Sequence, residues 1–462
     1  MAGALDHISV TLDAARTHQT IDGFGVNFNS KYWGAKSFDH VMDLLVDDLG
    51  ATLFRVDIWG KSNWVDPEDA HNARVLNEET YRTIYQGEVF RKGWAAMRYL
   101  NERGIEPYLT ASGIVPTWML GEDGKTLAEY DLFCEMLASM VDWARNREGL
   151  RFTYLGPLNE TDIGEPEGPT VGASEYARVM EVLDRKLTER GLDDIRFVVP
   201  EQAHFNSDYV TELLQNDRVR NRIGAVSMHT YFDYPVPLYA EVADLVRREM
   251  GSDARVWLGE YGDLEQSGER EWYVGWVSTR RLLDALEAGF SGGIFWDAFD
   301  NYHDHNEAWT IYGLMRTGLF VYTPKKRYFA AKQVYRYVRP GFQRVEIETA
   351  RPEASTLASD SPERVDRGIE TPGLRLMGFV SPDGSDFTLV GMNASDRGYF
   401  LDVRLEGCVP DKAARRAAYF RTTEREDCVR AGSQPLVSGE FIFAGANIEV
   451  PGQSIFTLTT VE

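Results

Sequence analysis

Phe152-Thr153-Tyr154-Leu155-Gly156-Pro157-Leu158-Asn159-Glu160 is an apolar run that ends on a polar pair. Trp257-Leu258-Gly259-Glu260-Tyr261-Gly262 has the same form further along the chain. Short apolar runs bounded by turn residues read as buried strands. Working outward, the strand candidates are Ile21–Asn29, Thr52–Trp59, Pro107–Ser112, Phe152–Asn159, Ile195–Pro200, Ala225–Thr230, Val256–Glu260 and Gly293–Trp296. Helical patterns fall between most of them, as in Leu127–Ala144, Ser174–Arg190, Tyr239–Met250 and Glu271–Ala288. Eight strands alternating with helices predict an α/β fold, the (β/α)8 TIM barrel. A doubly wound open sheet would carry a glycine-rich phosphate turn after its first strand, and no GxGxxG stands there.

Gly341, after Arg339-Pro340, marks a change of pattern. Short alternating runs follow: Gln343–Glu348, Leu374–Val380, Asp386–Asn393, Tyr399–Leu405, Ala417–Arg421, Glu440–Phe443 and Ser454–Thr459. Turns such as Pro382-Asp383-Gly384 separate them, so this part is expected to be a second, smaller all-β sandwich. His7–Leu12 alternates too. The expected organisation is a barrel over residues 15–340 and a sandwich over 341–462, joined by an N-terminal strand within 1–14. No internal repeat or low-complexity segment is evident.

Acidic residues number 72 against 49 basic ones, a net charge of −23. That balance argues against nucleic acid and anionic membrane as partners and leaves a neutral or cationic substrate. It does not set the oligomeric state. The 11 Trp and 22 Tyr supply more rings than a core requires, and aromatic faces are stacking platforms. Cys134, Cys408 and Cys428 have neither zinc-site nor disulfide-framework spacing. Cys134 reads as a buried thiol. Cys408 and Cys428 can pair in an oxidising compartment or stay free in a reducing one. The first residues, Met1-Ala2-Gly3-Ala4-Leu5-Asp6-His7, lack a basic start and an apolar signal core, which fits a cytoplasmic protein. A secreted chain whose leader has been removed reads the same.

Active sites of barrels of this kind gather at the C-terminal ends of the strands. In order, those ends carry Arg55, Asp57 and Trp59 on the second strand, Trp118 after the third, Asn159-Glu160 on the fourth, His229 and Tyr231 on the sixth, Glu260 on the seventh and Trp296 on the eighth. Asp300-Asn301-Tyr302-His303-Asp304-His305 follows the eighth. Two carboxylates at one barrel mouth suit glycoside cleavage with retention of configuration. One attacks as nucleophile; the other gives a proton to the leaving oxygen, then takes one from water. Glu201, after the fifth strand, competes for either role. His303 and His305 raise a metal-dependent hydrolase as an alternative, but no third spaced ligand is evident. Neither a metal nor a cofactor is expected.

With these residues in place, the chain resembles the clan-A retaining glycoside hydrolases, family 30 more than families 5 and 39. Thr20-Ile21-Asp22-Gly23-Phe24-Gly25 looks like that family's first strand, Asn159-Glu160 like its acid/base pair, and Lys326-Arg327-Tyr328-Phe329 through Arg339-Pro340-Gly341 like its exit into the sandwich. The resemblance implies a carbohydrate substrate, Glu160 as acid/base, Glu260 as nucleophile and Asn159 on the sugar 2-hydroxyl. Tyr231 would hold the nucleophile. Arg55 either keeps Glu260 ionised or is a structural bridge. His229 either orients the site or is a satisfied core histidine. Trp118 and Trp296 either stack on sugar faces or pack the barrel. Asp57 and Asn301 are further substrate-binding candidates. A transglycosylase with the same residues, and a non-catalytic carbohydrate-binding barrel, remain alternatives.

Overall fold

The computed structural model describes residues 6–34, 38–59, 78–303, 308–318, 321–349, 373–407, 416–436 and 444–461. The chain enters through β1 (Asp6–Thr20). Eight parallel strands then close into a barrel. They are β2 (Gly23–Asn29), β3 (Leu53–Trp59), β4 (Tyr108–Ser112), β5 (Tyr154–Gly156), β6 (Arg196–Gln202), β7 (Ile223–Thr230), β8 (Val256–Tyr261) and β9 (Gly292–Phe295). β9 pairs back onto β2.

The two-residue period of the strands sorts their side chains. Inward-pointing Leu53, Tyr108, Tyr154, Val198, Ala225, Trp257 and Ile294 fill the barrel interior. Outward-pointing Phe54, Val56, Leu109, Val226 and Leu258 join the core shared with the helices. Each such buried side chain contributes roughly 1.5–3 kcal/mol. The helices meet them with one apolar face. In Ala173–Glu189 that face is Tyr176, Val179, Met180, Leu183 and Leu187, at three- and four-residue spacing.

β5 is shorter than its apolar run suggests. Its ladder stops at Gly156 because Pro157 has no N–H to donate. Gly156 itself is pressed against Tyr108: an added Cβ would lie 2.1 Å from the Tyr108 hydroxyl oxygen.

After the barrel come two small hairpins, β10 (Asn301–His303) with β11 (Ala308–Thr310), and β12 (Met315–Thr317) with β13 (Tyr322–Pro324). The helix Lys326–Tyr335 leads out. The remaining strands are β14 (Gln343–Thr349), β15 (Leu374–Val380), β16 (Phe387–Asn393), β17 (Tyr399–Glu406), β18 (Arg416–Thr423), β19 (Val429–Pro435), β20 (Ala444–Val450) and β21 (Ser454–Thr459). With β1 they form a nine-stranded sheet in the order β19-β18-β21-β16-β15-β14-β1-β17-β20. The sheet folds over on a core that includes Val10, Leu389, Leu401, Ile448 and Leu458. β1 lies inside it, antiparallel to β14 and parallel to β17. The strand expected at Glu440–Phe443 lies outside the described residues, as does Cys408.

No described helix is long and apolar enough to cross a membrane.

Candidate active site

Strict alternation along β8 points Trp257 and Gly259 inward and would turn Glu260 toward the helices. The pairing of β7 with β8 slips at this point, Met228 facing Leu258 and His229 facing Glu260. The extra residue is a bulge, and it re-aims Glu260 into the barrel. β6 has the same device. Its register slips between Pro200 and Gln202, bringing Glu201 inward. Glu201 takes φ 56°, and Glu160 takes φ 43° after the end of β5. Non-glycine residues seldom occupy this left-handed region, and strain of that kind concentrates at functional sites. The two are joined directly: Glu160 N–H donates to the Glu201 carbonyl at 2.9 Å.

Arg55 and Asp57 need no bulge, because simple alternation on β3 turns both inward. Arg55 is fully buried. It donates to Glu260 Oε1 at 2.6 Å, to Asn159 Oδ1 at 2.7 Å and to Asn27 Oδ1 at 3.2 Å. Its Nη2 also lies 3.2 Å from Glu201 Oε2. Tyr231, just past β7, donates to Glu260 Oε2 at 2.5 Å. His229 stands between the acids. Its Nδ1 is 2.7 Å from Glu160 Oε1 and 3.5 Å from Glu260 Oε2. Its Nε2 is 3.1 Å from Glu201 Oε2. One oxygen each of Glu160 and Glu260 and a ring nitrogen of His229 lie within 4.8 Å of one another.

Charge balance explains the protonation. Burial works against a charge on His229, but the Glu260 and Glu201 carboxylates and the bonds to Glu160 and Glu201 outweigh it and hold the ring well above its usual value. Burial likewise opposes the Arg55 charge, and Glu260 and Glu201 overcome it. Burial raises Glu201, yet Arg55 and His229 pull it down to about 2. Burial raises Glu260, with Glu160 adding to the rise against His229, Arg55 and Tyr231. Two cations thus face three carboxyl groups.

The trio Glu160, His229 and Glu260 also has the spacing of a metal-ligand set. Both ring nitrogens of His229 already face carboxylates, Nδ1 toward Glu160 and Nε2 toward Glu201. In the other metal reading, His303 with His305, only His303 is among the described residues.

Further acids complete the cleft. Ser112 Oγ donates to Asp57 Oδ1 at 2.5 Å. Burial raises Asp57 despite Arg55 and Ser112. Glu167, on the loop after β5, accepts from Asn159 Nδ2 at 3.5 Å. Burial and then the Glu160 and Glu260 charges push Glu167 up to about 8. Asp297, directly after Trp296, is pushed to about 8 by burial, with Glu260 and Asp57 adding to the rise. Nothing in the sequence pattern marks Asp297 beyond its place at the end of the last barrel strand, and Glu167 stands in Glu165-Pro166-Glu167-Gly168-Pro169, which reads as a rigid loop shaping the cleft.

The remaining candidates sit further out. Asn301 is buried and donates to Asp297 Oδ2 at 3.4 Å. Trp296 is half-buried, its ring 6.0 Å from that of His303. Trp118 lies in the short turn Thr117–Met119, packed on the barrel core. Among the described residues no hydrogen bond or ring contact ties Trp118 to Glu160 or Glu260.

No family model matches the chain. Solved structures do match its fold across nearly its whole length. A family 30 endoxylanase from Clostridium papyrosolvens C71 has 16% identity and a TM-score of 0.68, over 98% of this chain and 99% of that one. A conserved exported protein from Bacteroides fragilis has 18% identity and a TM-score of 0.70, over 98% and 100%. The endo-beta1,6-glucanase BT3312 has 14% identity and a TM-score of 0.66, over 98% and 94%. The fold is therefore the TIM barrel with an all-β domain found in family 30 glycoside hydrolase structures.

Proposed function

We propose that the chain is a retaining glycoside hydrolase that cleaves a β-linked glycoside or polysaccharide by double displacement. The observation that carries this reading is the approach of Glu160 and Glu260 oxygens to within 4.8 Å at the barrel mouth. Retaining pairs hold their carboxyl groups about 5–5.5 Å apart and inverting pairs, which must admit a water, about 6.5–9.5 Å, so a close approach of single oxygens favours retention.

Glu260 is the nucleophile, aligned by Arg55 and Tyr231. Glu160 protonates the leaving oxygen, then removes a proton from water that releases the glycosyl-enzyme. Asn159, fixed through its carbonyl by Arg55 and donating from Nδ2 to Glu167, has a second amide N–H to offer the sugar 2-hydroxyl. The family 30 xylanase and the endo-beta1,6-glucanase that share the fold support a carbohydrate substrate.

The test is a panel of aryl β-glycosides and plant and microbial polysaccharides, with the anomer of the first product read by proton NMR. A β product that is insensitive to chelators is expected. An α product, or an activity abolished by chelators, overturns the reading. Added sugar acceptors in the same assay separate hydrolysis from transglycosylation.

A further inference from the structure

Glu201 is fully buried, so no substrate can reach it. The chain nevertheless places it at some cost. Its backbone sits at φ 56° on a β-bulge. Gly259 leaves room for it, since an added Cβ there would lie 2.2 Å from Glu201 Oε1 and 2.1 Å from Ser227 Oγ. A single oxygen, Oε2, then meets both Arg55 Nη2 at 3.2 Å and His229 Nε2 at 3.1 Å. Arg55 continues to Glu260, and His229 continues to Glu160. The buried acid is a node between the two halves of the catalytic pair.

We propose that Glu201 is a positioning residue that holds His229 doubly protonated, so that Nδ1 donates to Oε1 of Glu160 and the transferable proton of Glu160 is confined to Oε2. This rests on the reading of Glu160 as acid/base. The alternative states show why it matters. A neutral imidazole carries one proton. If that proton sits on Nε2 toward residue 201, Nδ1 becomes an acceptor. The Glu160 proton then turns to Oε1 and points at His229 rather than at the leaving oxygen. The negative charges of Glu201 on one side of the ring and Glu260 on the other work against that state. Further charged or titratable neighbours are Arg55 behind Glu201, Glu167 beyond Glu160, Tyr231 on Glu260, and Asp57, Tyr108 and Tyr176 within reach of the Glu201 charge. The tautomer of a catalytic imidazole is set elsewhere in the same way, by a buried carboxylate on its second nitrogen.

Glu201→Gln tests this with little change of shape, because the Gln oxygen can still accept from Arg55 and His229 while the charge is gone. The readout is kcat/KM, which reports events through glycosyl-enzyme formation, across aryl β-glycosides of graded leaving-group ability. Poor leaving groups should lose about 10–100-fold and dinitrophenyl glycosides less than about 3-fold, since only the former need the proton. The alkaline limb of the pH–rate profile should move to lower pH, because His229 has lost an anion that keeps it charged. Glu201→Asp, which keeps the charge, should leave that limb in place. An equal loss for all leaving groups, or an unmoved limb in Glu201→Gln, overturns the proposal. If the variant fails to fold, the wild-type enzyme still decides. Nitrogen-15 spectra, assigned against His229→Gln, should show both ring nitrogens of His229 protonated at neutral pH, and a singly protonated ring overturns it. A wild-type chain that is inactive on the panel, or inverting, would instead remove the proposed function.

Discussion

Glu160 and Glu260 lie close together, but the loss of each should look different. On the proposed assignment Glu260→Ala removes the nucleophile, and activity on any substrate should nearly vanish. On the same assignment Glu160→Ala removes proton donation, worth about 10²–10⁴ in rate, and the loss should shrink for aryl glycosides with good leaving groups. Azide then separates the roles. In Glu160→Ala it attacks the glycosyl-enzyme and gives the β-glycosyl azide; in Glu260→Ala it enters the vacated place and gives the α anomer. The same anomer from both variants, or a glycosyl azide from Glu201→Ala, contradicts the assignment. Asp297 makes a prediction about stability instead. Its carboxyl rises from 3.8 to about 8, first through burial. A raised acid favours the fold's protonated form, so the penalty for ionising it is absent below the unfolded value and complete above the folded one. Asp297→Asn mimics the protonated acid. It should leave thermal stability nearly unchanged at about pH 4 and raise it by several kcal/mol at about pH 9. Equal effects at both pH values would show that the carboxyl is not held neutral in the fold.

The elements explain how such side chains come to converge. β6 and β8 each carry one bulge, and the bulges turn Glu201 and Glu260 inward from positions that strict alternation would assign to the helices. Gly259 sits on the second bulge, where a methyl would overlap Ser227 and Glu201. Gly259→Ala should therefore destabilise the chain by about 1–3 kcal/mol, the usual range for overpacking. Because the displaced acid is Glu201, activity should fall further than stability alone explains, most steeply on poor leaving groups. A stable, fully active Gly259→Ala would mean that Glu201 can be moved without consequence. The same geometry sets what could be read from sequence. The apolar runs before Glu160 and Glu260 located two strand ends, and the end of the second strand run located Arg55 and Asp57. Bulges break that alternation, so the inward turn of Glu201 left no trace in the pattern, and its buried anchoring place was not separable from a catalytic one. Asp297 and Glu167 differ from ordinary loop acids only through burial, which adjacent residues do not encode. β1 was seen only as far as Leu12, where apolar alternation ends. Its pairing with β14 runs on to Thr20 through register shifts and exposed polar residues.

At the scale of the whole molecule, the barrel and the β-sheet share one core. Phe342, Met377, Phe379, Val390, Met392 and Ile455 belong to the same apolar cluster as the barrel's outward-facing strand residues. The sheet also completes the hydrogen bonding of the last helix region: Thr457 Oγ1 donates to the Gln333 carbonyl at 2.6 Å, and Thr388 Oγ1 to that of Tyr337 at 2.7 Å. Arg375 on β15 reaches Asp284 and Glu287 on the helix Glu271–Glu287. That helix follows β8, the strand bearing Glu260. β1 enters the sheet before the barrel begins, so the chain starts and finishes in the same sheet with the barrel between. Two units built in this way should not melt separately. Calorimetry is expected to show one transition with equal calorimetric and van't Hoff enthalpies. Arg375→Met leaves Asp284 buried without its partner and should destabilise by about 3–5 kcal/mol. Because the units are coupled, loss of the proposed glycosidase activity on heating should shift down together with the far-ultraviolet melt. Two resolved transitions, with activity surviving the first, would mean that the sheet is an appendage and that the barrel holds Glu160 and Glu260 in register unaided.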